Sequence, residues 1–117
     1  MAKVPDILYQ GQPAATDTDL YTVPASTKTT ITSIIATNTN SATKYFTIHL
    51  VQNGGSVANN TALMYQQKLN GTGDSGGAGL FAFEVPIILL TTGDKLSGIQ
   101  ETATAITITI MGYTEAI

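Results

Sequence analysis

Residues 20–51, LYTVPASTKTTITSIIATNTNSATKYFTIHLV, contain two stretches in which apolar and polar side chains alternate, joined by a short polar segment. The first stretch places two sets on opposite faces: Ile31, Ser33 and Ile35 on one, and Thr30, Thr32, Ile34 and Ala36 on the other. In the second stretch Phe46, Ile48 and Leu50 share a face. A period of two is the repeat of a pleated strand, and the small polar residues at 38–43 favour a turn. The segment therefore predicts a β-hairpin, and it contains no catalytic pattern.

The remainder of the chain continues as short strands separated by turn residues. Further strands are predicted at 7–10, 20–23, 62–69, 80–85, 87–90, 95–100 and 105–113, of which 62–69 would also fit a helical turn. No segment sustains the 3.6-residue period of a helix, and closely spaced turns are typical of all-β sandwiches. We predict one all-β domain over residues 1–117, an antiparallel β-sandwich of about eight strands with jelly-roll or immunoglobulin-like topology. Residues 1–6 could form a flexible N-terminal arm.

The composition excludes several classes of function. Cysteine is absent, which removes disulfides, thiolate catalysis and cysteine-ligated zinc. Charged residues make up 11% of the chain, against about 25% in ordinary soluble domains. With five lysines, no arginine and a net charge of −3, no basic stripe is available for nucleic acid. No apolar run is long enough to span a membrane, so we expect neither a nucleic acid nor a membrane partner.

The low charge also bears on the edges of the predicted sheets. Natural proteins protect strand edges with lysine, proline or closure, and this chain has few lysines. We therefore expect a closed architecture or association between copies.

Two glycine-rich motifs at 71–77 look like catalytic or nucleotide-binding sequences. Residues 73–77, GDSGG, match the surroundings of the nucleophilic serine in trypsin-like proteases, but the only histidine is His49, and no aspartate lies between it and Asp74. Residues 71–76 match GxGxxG, yet a strand rather than a helix is predicted to follow them. We interpret residues 70–79 as an exposed glycine-rich loop and expect no enzymatic activity, catalytic residue or cofactor.

Other side chains give weaker indications of a ligand. Asp17 and Asp19 flank Thr18 and are weak candidates for a metal site, although solvated or turn-capping carboxylates are the simpler interpretation. His49 is expected on the polar face of its strand. Five tyrosines could form a sugar-stacking platform, although strand tyrosines more often lie at core edges or interfaces: Tyr9, Tyr21, Tyr45, Tyr65 and Tyr113.

Four segments together resemble the small virion structural proteins of tailed bacteriophages. They are LYTVPA at 20–25, the strand at 29–35 with Asn38 after it, the strand at 46–51, and LTTGDK at 90–95. The resemblance covers most of the chain from Leu20 to Tyr113 and is carried by structural motifs. It implies a β-sandwich of the capsid decoration, or cement, type, which binds the major capsid protein on the capsid exterior after assembly in the bacterial host cytoplasm.

The resemblance also implies self-association as a homotrimer and carries no catalytic residues. Candidate partner contacts come from the N-terminal arm, the threonine-rich strand face and the glycine loop: Lys3, Val4, Pro5, Thr30, Thr32, Asp74 and Ser75. The alternatives are a neck, tail or baseplate accessory protein, and a glycan-binding module for host adhesion.

Overall fold

The computed structural model describes residues 3–71, 80–84, 86–89 and 92–117. Across these ranges the chain forms nine strands: β1 Val4–Gly11, β2 Thr18–Thr22, β3 Thr27–Asn38, β4 Lys44–Val51, β5 Ala62–Leu69, β6 Leu80–Phe83, β7 Ile87–Leu89, β8 Lys95–Gln100 and β9 Ile106–Ala116. A 3-10 helix at Asn59–Thr61 precedes β5. No helix within the described ranges is long and apolar enough to cross a membrane.

The strands form two antiparallel sheets. Sheet A has the order β1-β9-β3-β6, with β7 also paired to β3, and sheet B has the order β2-β8-β4-β5. Because β6 and β7 pair with successive parts of β3, they occupy one strand position, so each sheet is four positions wide. Apart from β4 and β5, which are paired neighbours in sheet B, strands that follow one another in the chain otherwise alternate between the sheets, as in a jelly roll. The predicted antiparallel β-sandwich is confirmed, and the topology is the jelly-roll alternative.

Residues 20–51 do not form the predicted hairpin. β3 belongs to sheet A and pairs with β9, β6 and β7, whereas β4 belongs to sheet B and pairs with β5 and β8. Both strands have one strongly apolar face, and each buries that face by packing across the sandwich. The prediction of strands was right, and the prediction of their pairing was wrong.

The polar segment after β3 forms an arch between the two sheets. Asn38 is almost fully buried, and its Nδ2 donates hydrogen bonds of 2.9 Å to the carbonyl oxygens of Ala42 and Leu69. The backbone N–H of Asn40 donates to Asn38 Oδ1 at 2.8 Å. The Asn38 amide therefore joins the arch to the end of β5, and the polar residues that suggested a hairpin turn satisfy this crossing instead.

A β-bulge in β3 changes which side chains face the core. Ile31 pairs with Gly112 and Ser33 with Met111, so Thr32 is the extra residue on the β3 side. The side chains of Ile31, Ile34 and Ala36 consequently all lie in the core. The predicted face shared by Ile31, Ser33 and Ile35 is therefore wrong, because the bulge reverses the alternation.

The strand β9 behaves as its alternation predicts. Ile106, Ile108 and Ile110 are fully buried, and Thr107 and Thr109 lie on the opposite face. At the other end of the chain, β1 begins at Val4, which pairs with Thr114 of β9. Residues 4–6 are thus part of sheet A, and a free arm does not extend over them.

Candidate interaction surface

The outer face of sheet B holds the side chains that most resemble a catalytic group. Asp19 pairs with Ser97, and Ser97 pairs with His49, so the three side chains form a row across β2, β8 and β4. Ser97 Oγ donates to Asp19 Oδ1 at 2.9 Å, and His49 Nδ1 lies 3.0 Å from Thr61 Oγ1. A serine nucleophile has to pass its proton to an imidazole, but the Ser97 hydroxyl is directed to the carboxylate, and Ser97 is fully buried. The row joins strands to one another and to the segment before β5.

Asp19 is engaged by a cation of the same chain. Lys95 Nζ lies 3.1 Å from Asp19 Oδ1, and the hydrogen bonds from Lys95 and then from Ser97 lower the pKa of the Asp19 carboxyl. Asp17 is exposed in the loop before β2. Among the residues that the structure describes, no three His, Cys, Asp or Glu side chains are grouped in a way that could hold a metal ion. The structure does not bring Asp17 and Asp19 into such a group.

Asp74 and Ser75 lie outside the described residues, as do the motifs at 71–77 apart from Gly71. Glu101 Oε1 accepts a hydrogen bond of 3.0 Å from the backbone N–H of Tyr45, while Glu84 is exposed after β6.

The five tyrosines do not form one platform. Tyr9 and Tyr21 pack against the core, and Tyr113 lies on sheet A. Tyr45 and Tyr65 are exposed on adjacent strands of sheet B. Tyr45 also borders a shallow depression of about 230 Å³ that Gln66 and Glu101 help to line.

The outer face of sheet A is apolar and hydroxyl-bearing over most of its area. Register and strand alternation assign these uncharged residues to it: Pro5, Ile7, Gln10, Thr30, Ser33, Ile35, Thr37, Leu80, Ala82, Ile88, Thr107, Thr109, Met111 and Tyr113. Ile7, Leu80 and Ile88 are exposed by 55%, 58% and 57%. Exposed apolar side chains on one face of a sheet make that face a candidate interaction surface. We name this surface the sheet A face.

Charged side chains are confined to the margins of the sheet A face. In the strands of sheet A the charged residues are Asp6, Lys28 and Glu115. Lys28 Nζ and Glu115 Oε1 lie 3.4 Å apart at one end of the sheet. Asp6 alternates with Pro5 and Ile7 and so points away from the sheet A face. The centre of the face is therefore uncharged.

Several predicted contact residues meet around Tyr113. Pro5 and Thr30 both pair with Tyr113, and Lys3 Nζ lies 5.0 Å from the centroid of its ring. Val4 is exposed at the same end of β1. Thr30, however, is only 4% exposed, because its strand neighbours cover it, so it offers little surface to a partner. Lys3, Val4 and Pro5 thus remain predicted contacts at this end of the sheet A face, to which Thr30 contributes little exposed area.

The most exposed members of the face were missed by sequence reasoning. Ile7 and Ile88 come from strands at opposite edges of sheet A, and only the register of the folded sheet places them on one surface. One available signal was the alternation of 107–113, which puts Met111 and Tyr113 on the face of the outward threonines. Thr32, at the bulge, is half-buried, and its hydroxyl donates to the Met111 carbonyl oxygen at 3.2 Å.

Two of the segments that carry the resemblance contact each other at one end of the sandwich. The backbone N–H of Val23 donates to Asp94 O at 2.9 Å, and that of Gly93 donates to Val23 O at 3.1 Å. Asp94 Oδ1 also accepts a hydrogen bond of 2.8 Å from the backbone N–H of Asn53. Gly93 has a φ of +90°, and a Cβ there would collide with the Asn53 side chain. The two motifs thus connect the turn after β2, the turn after β4 and the turn before β8, and their role is to support the fold.

Comparison with known proteins identifies no family for this chain. No protein-family model matches the sequence, and a search of curated proteins gives no match. A structure of infectious bursal disease virus, Gx strain, is similar over 98% of this chain and 32% of that chain, with 12% identity and a TM-score of 0.46. A structure of the Gt strain is similar over 97% and 29%, with 12% identity and a TM-score of 0.39. The chain spans less than a third of the length of those chains, and the likeness concerns the path of the backbone alone.

Proposed function

We propose that this chain is a non-enzymatic structural protein of a virion, a decoration or cement protein of a tailed bacteriophage head. In that role it binds the outer surface of the major capsid protein lattice and stabilises the shell. The observation that carries the proposal is the sheet A face, a wide uncharged surface suited to contact between protein subunits, on a protein in which several described polar side chains bond to its own strands and loops. Such a molecule is suited to binding other proteins and offers little for chemistry.

The fold is consistent with this role but does not decide it. Jelly rolls recur in viral capsid domains and in lectins, and one fold supports many functions. On a capsid, many modest contacts on a repeating lattice sum to durable attachment, so no single deep pocket is needed. The location on the capsid exterior, assembly in the bacterial cytoplasm and the homotrimeric state remain predictions from the resemblance.

The direct test is binding to expanded empty heads of the phage that encodes the chain. Purified protein should co-sediment with the heads and saturate at a fixed number of copies per capsomer, and cryo-electron microscopy should show added density on the head exterior. Heads that bind no protein, or virions that carry it only at the tail tip or fibres, would overturn the proposal. Location at the neck, tail or baseplate would instead establish the accessory-protein alternative.

The depression beside Tyr45 favours a second candidate, a glycan-binding module. An exposed aromatic ring next to the Gln66 amide and the Glu101 carboxylate combines a stacking surface with hydrogen-bonding groups. A glycan array would show binding that Tyr45→Ala abolishes, while Tyr65→Ala, an exposed tyrosine outside the depression, leaves it intact. Absence of binding to every glycan would eliminate this candidate.

A further inference from the structure

We propose that the sheet A face is an interface between copies of this chain, in which the face of one molecule packs against the same face of a second. This inference does not depend on the virion role, because it concerns the purified protein alone. It also leaves sheet B and the loops at both ends of the sandwich available to other partners.

The apolar side chains extend across the whole width of the face. Ile7 lies on β1, Met111 and Tyr113 on β9, and Ile88 on β7. Leu80 of β6 pairs with Thr37 and lies toward the other end of β3. Ile7, Leu80 and Ile88 are each more than half exposed in the isolated molecule. Covering them would remove apolar surface from water on both edges of sheet A at once, which a partner of matching width achieves best.

The dimensions of the face fit a protein interface of ordinary size. β9 has 11 residues. At about 3.3 Å per residue it is about 36 Å long, and four strand positions at about 4.8 Å make the sheet about 19 Å wide. The product is about 700 Å² per copy, close to the roughly 800 Å² that each partner contributes to a standard stable interface. A second copy supplies a surface of the same area and the same shape.

The charge distribution favours a copy of the same chain over a charged partner. An uncharged centre meets itself without like-charge repulsion, whereas it offers nothing to pair with the charges of a basic or acidic protein. The Lys28 and Glu115 side chains at the margin already neutralise each other. Lys3 Nζ lies 5.0 Å from the centroid of the Tyr113 ring, at the end of the face where β1 begins.

The strand edges of sheet A are poorly suited to the other common mode of association, edge-to-edge pairing. In β1, Pro5 lacks a backbone N–H, and the register shifts between Ile7 and Tyr9. At the opposite edge, β6 and β7 are strands of 4 and 3 residues that do not run continuously. Proline, bulges and short edge strands are the usual means by which proteins prevent such pairing. The face, not the edge, is where copies of the chain can meet.

Stacked sheets pack about 10 Å apart with their strands rotated by about 30°, so two identical faces can meet about a two-fold axis. The expected product is a dimer, whose mass is twice the 12.2 kDa of one chain, in place of the homotrimer that the resemblance implies. A trimer assembled through any other surface would leave the sheet A face exposed.

The test compares two lysine substitutions at equally exposed positions on opposite faces. Ile88→Lys places a charge on the sheet A face, and Tyr65→Lys places one on sheet B, where the tyrosine is 59% exposed. Sedimentation equilibrium and light scattering at about 0.1 mM would detect even the micromolar association that interfaces of this area show at their weakest. Circular dichroism would verify that each variant is folded.

The wild type and Tyr65→Lys should be dimeric, and Ile88→Lys should shift to 12.2 kDa with association weakened at least about a hundredfold. Ile7→Lys, at the other edge of the face, should weaken association in the same direction. A monomeric wild type would overturn the inference, and so would an Ile88→Lys variant that is folded and assembles as the wild type does. If Ile88→Lys is monomeric and still binds heads, both proposals are supported. If Ile88→Lys disrupts the dimer but the wild-type dimer binds no heads, the interface is supported and only the virion role is removed.

Discussion

Replacing Gln100 by leucine would remove a buried amide that connects loops at one end of the sandwich. The turns that contain Val23, Asn53 and Asp94 lie at the opposite end. Gln100 Nε2 donates to the carbonyl oxygens of Pro13 at 2.7 Å, Ile106 at 3.1 Å and Ala103 at 3.2 Å. Gln100 Oε1 accepts a hydrogen bond of 2.7 Å from the backbone N–H of Ile106. One side chain thereby connects the β1–β2 loop, the β8–β9 turn and the start of β9.

The expected cost follows from the groups left without partners. Gln100 is 1% exposed, and Pro13 and Ile106 are buried, so water cannot replace the lost bonds. Gln100→Leu removes the side-chain partner of three backbone groups, which are the Pro13 carbonyl and the N–H and carbonyl of Ile106. Each buried polar group left unpaired costs about 1–3 kcal/mol of stability. Allowing for the apolar burial that leucine gains, we expect a net loss of about 3–5 kcal/mol. For a domain of this size, that loss lowers the melting temperature by about 12–20 °C.

The assay is thermal unfolding followed by circular dichroism, with Gln12→Leu as the matched control. Gln12 lies at the same end of the sandwich, and its Nε2 donates to Thr104 O at 3.0 Å and lies 3.4 Å from Thr107 Oγ1, but its side chain is exposed. Its replacement should change the free energy of unfolding by no more than about 0.5 kcal/mol. If the two variants melted within about 2 °C of each other, the reasoning from buried hydrogen bonds would be refuted.

Three further substitutions test the core, the polar row of sheet B and the bulge. Ile108→Asp should unfold or precipitate the protein because it buries an unpaired charge in the centre of β9, and a soluble variant with a cooperative melt would contradict the burial of Ile108. The hydrogen bond from Lys95 lowers the pKa of the Asp19 carboxyl in the folded protein. The ionised Asp19 therefore stabilises the fold above the unfolded-state pKa of about 3.9. This stabilisation is lost as the pH falls through the lower folded-state pKa. Urea unfolding should accordingly show the wild type more stable than Asp19→Asn at about pH 7 and not at about pH 2, and an equal difference at both would argue against this ion pair. Gly112→Ala should destabilise the protein by about 1–3 kcal/mol, because the new Cβ would collide with the carbonyl oxygen of Thr30, and an unchanged urea midpoint would show that the bulge can relax.

Alternation along the chain predicted where most strands lie but not which strands pair. The strands at 62–69 and 95–100 have the predicted bounds. Side chains alternate between the two faces of any strand because of its own backbone, so the pattern can be recognised without knowing the partner strand. Whether β3 and β4 lie side by side or face each other across a core involves contacts from elsewhere in the fold, such as the hydrogen bond from Asn38 Nδ2 to the Leu69 carbonyl oxygen. A polar segment between two strands fits a hairpin turn and an arch equally well.

The sheet A face was only partly predictable for a related reason. The extra residue at Thr32 is invisible to alternation, because Thr32 and Ser33 are both small and polar. The glycine opposite it was the available signal, since a glycine within a strand often marks a bulge or a close approach of two backbones, as Gly112 does here. Ile7 and Ile88 lie on one surface only because their strands pair with β9 and β3, and their separation in sequence conceals this.

The pairing of β3 with β9 also determines the order in which the molecule can be completed on the ribosome. Asn38 pairs with Ile106, which lies 68 positions later, and Thr27 pairs with Ala116, 89 positions later. A nascent chain that has reached β5 therefore exposes an isoleucine- and threonine-rich strand without its central partner. Long-range pairing of this kind is slow and leaves strands open to aggregation. Yield during synthesis should consequently depend on temperature and chaperone supply, even for a sequence whose finished fold is stable.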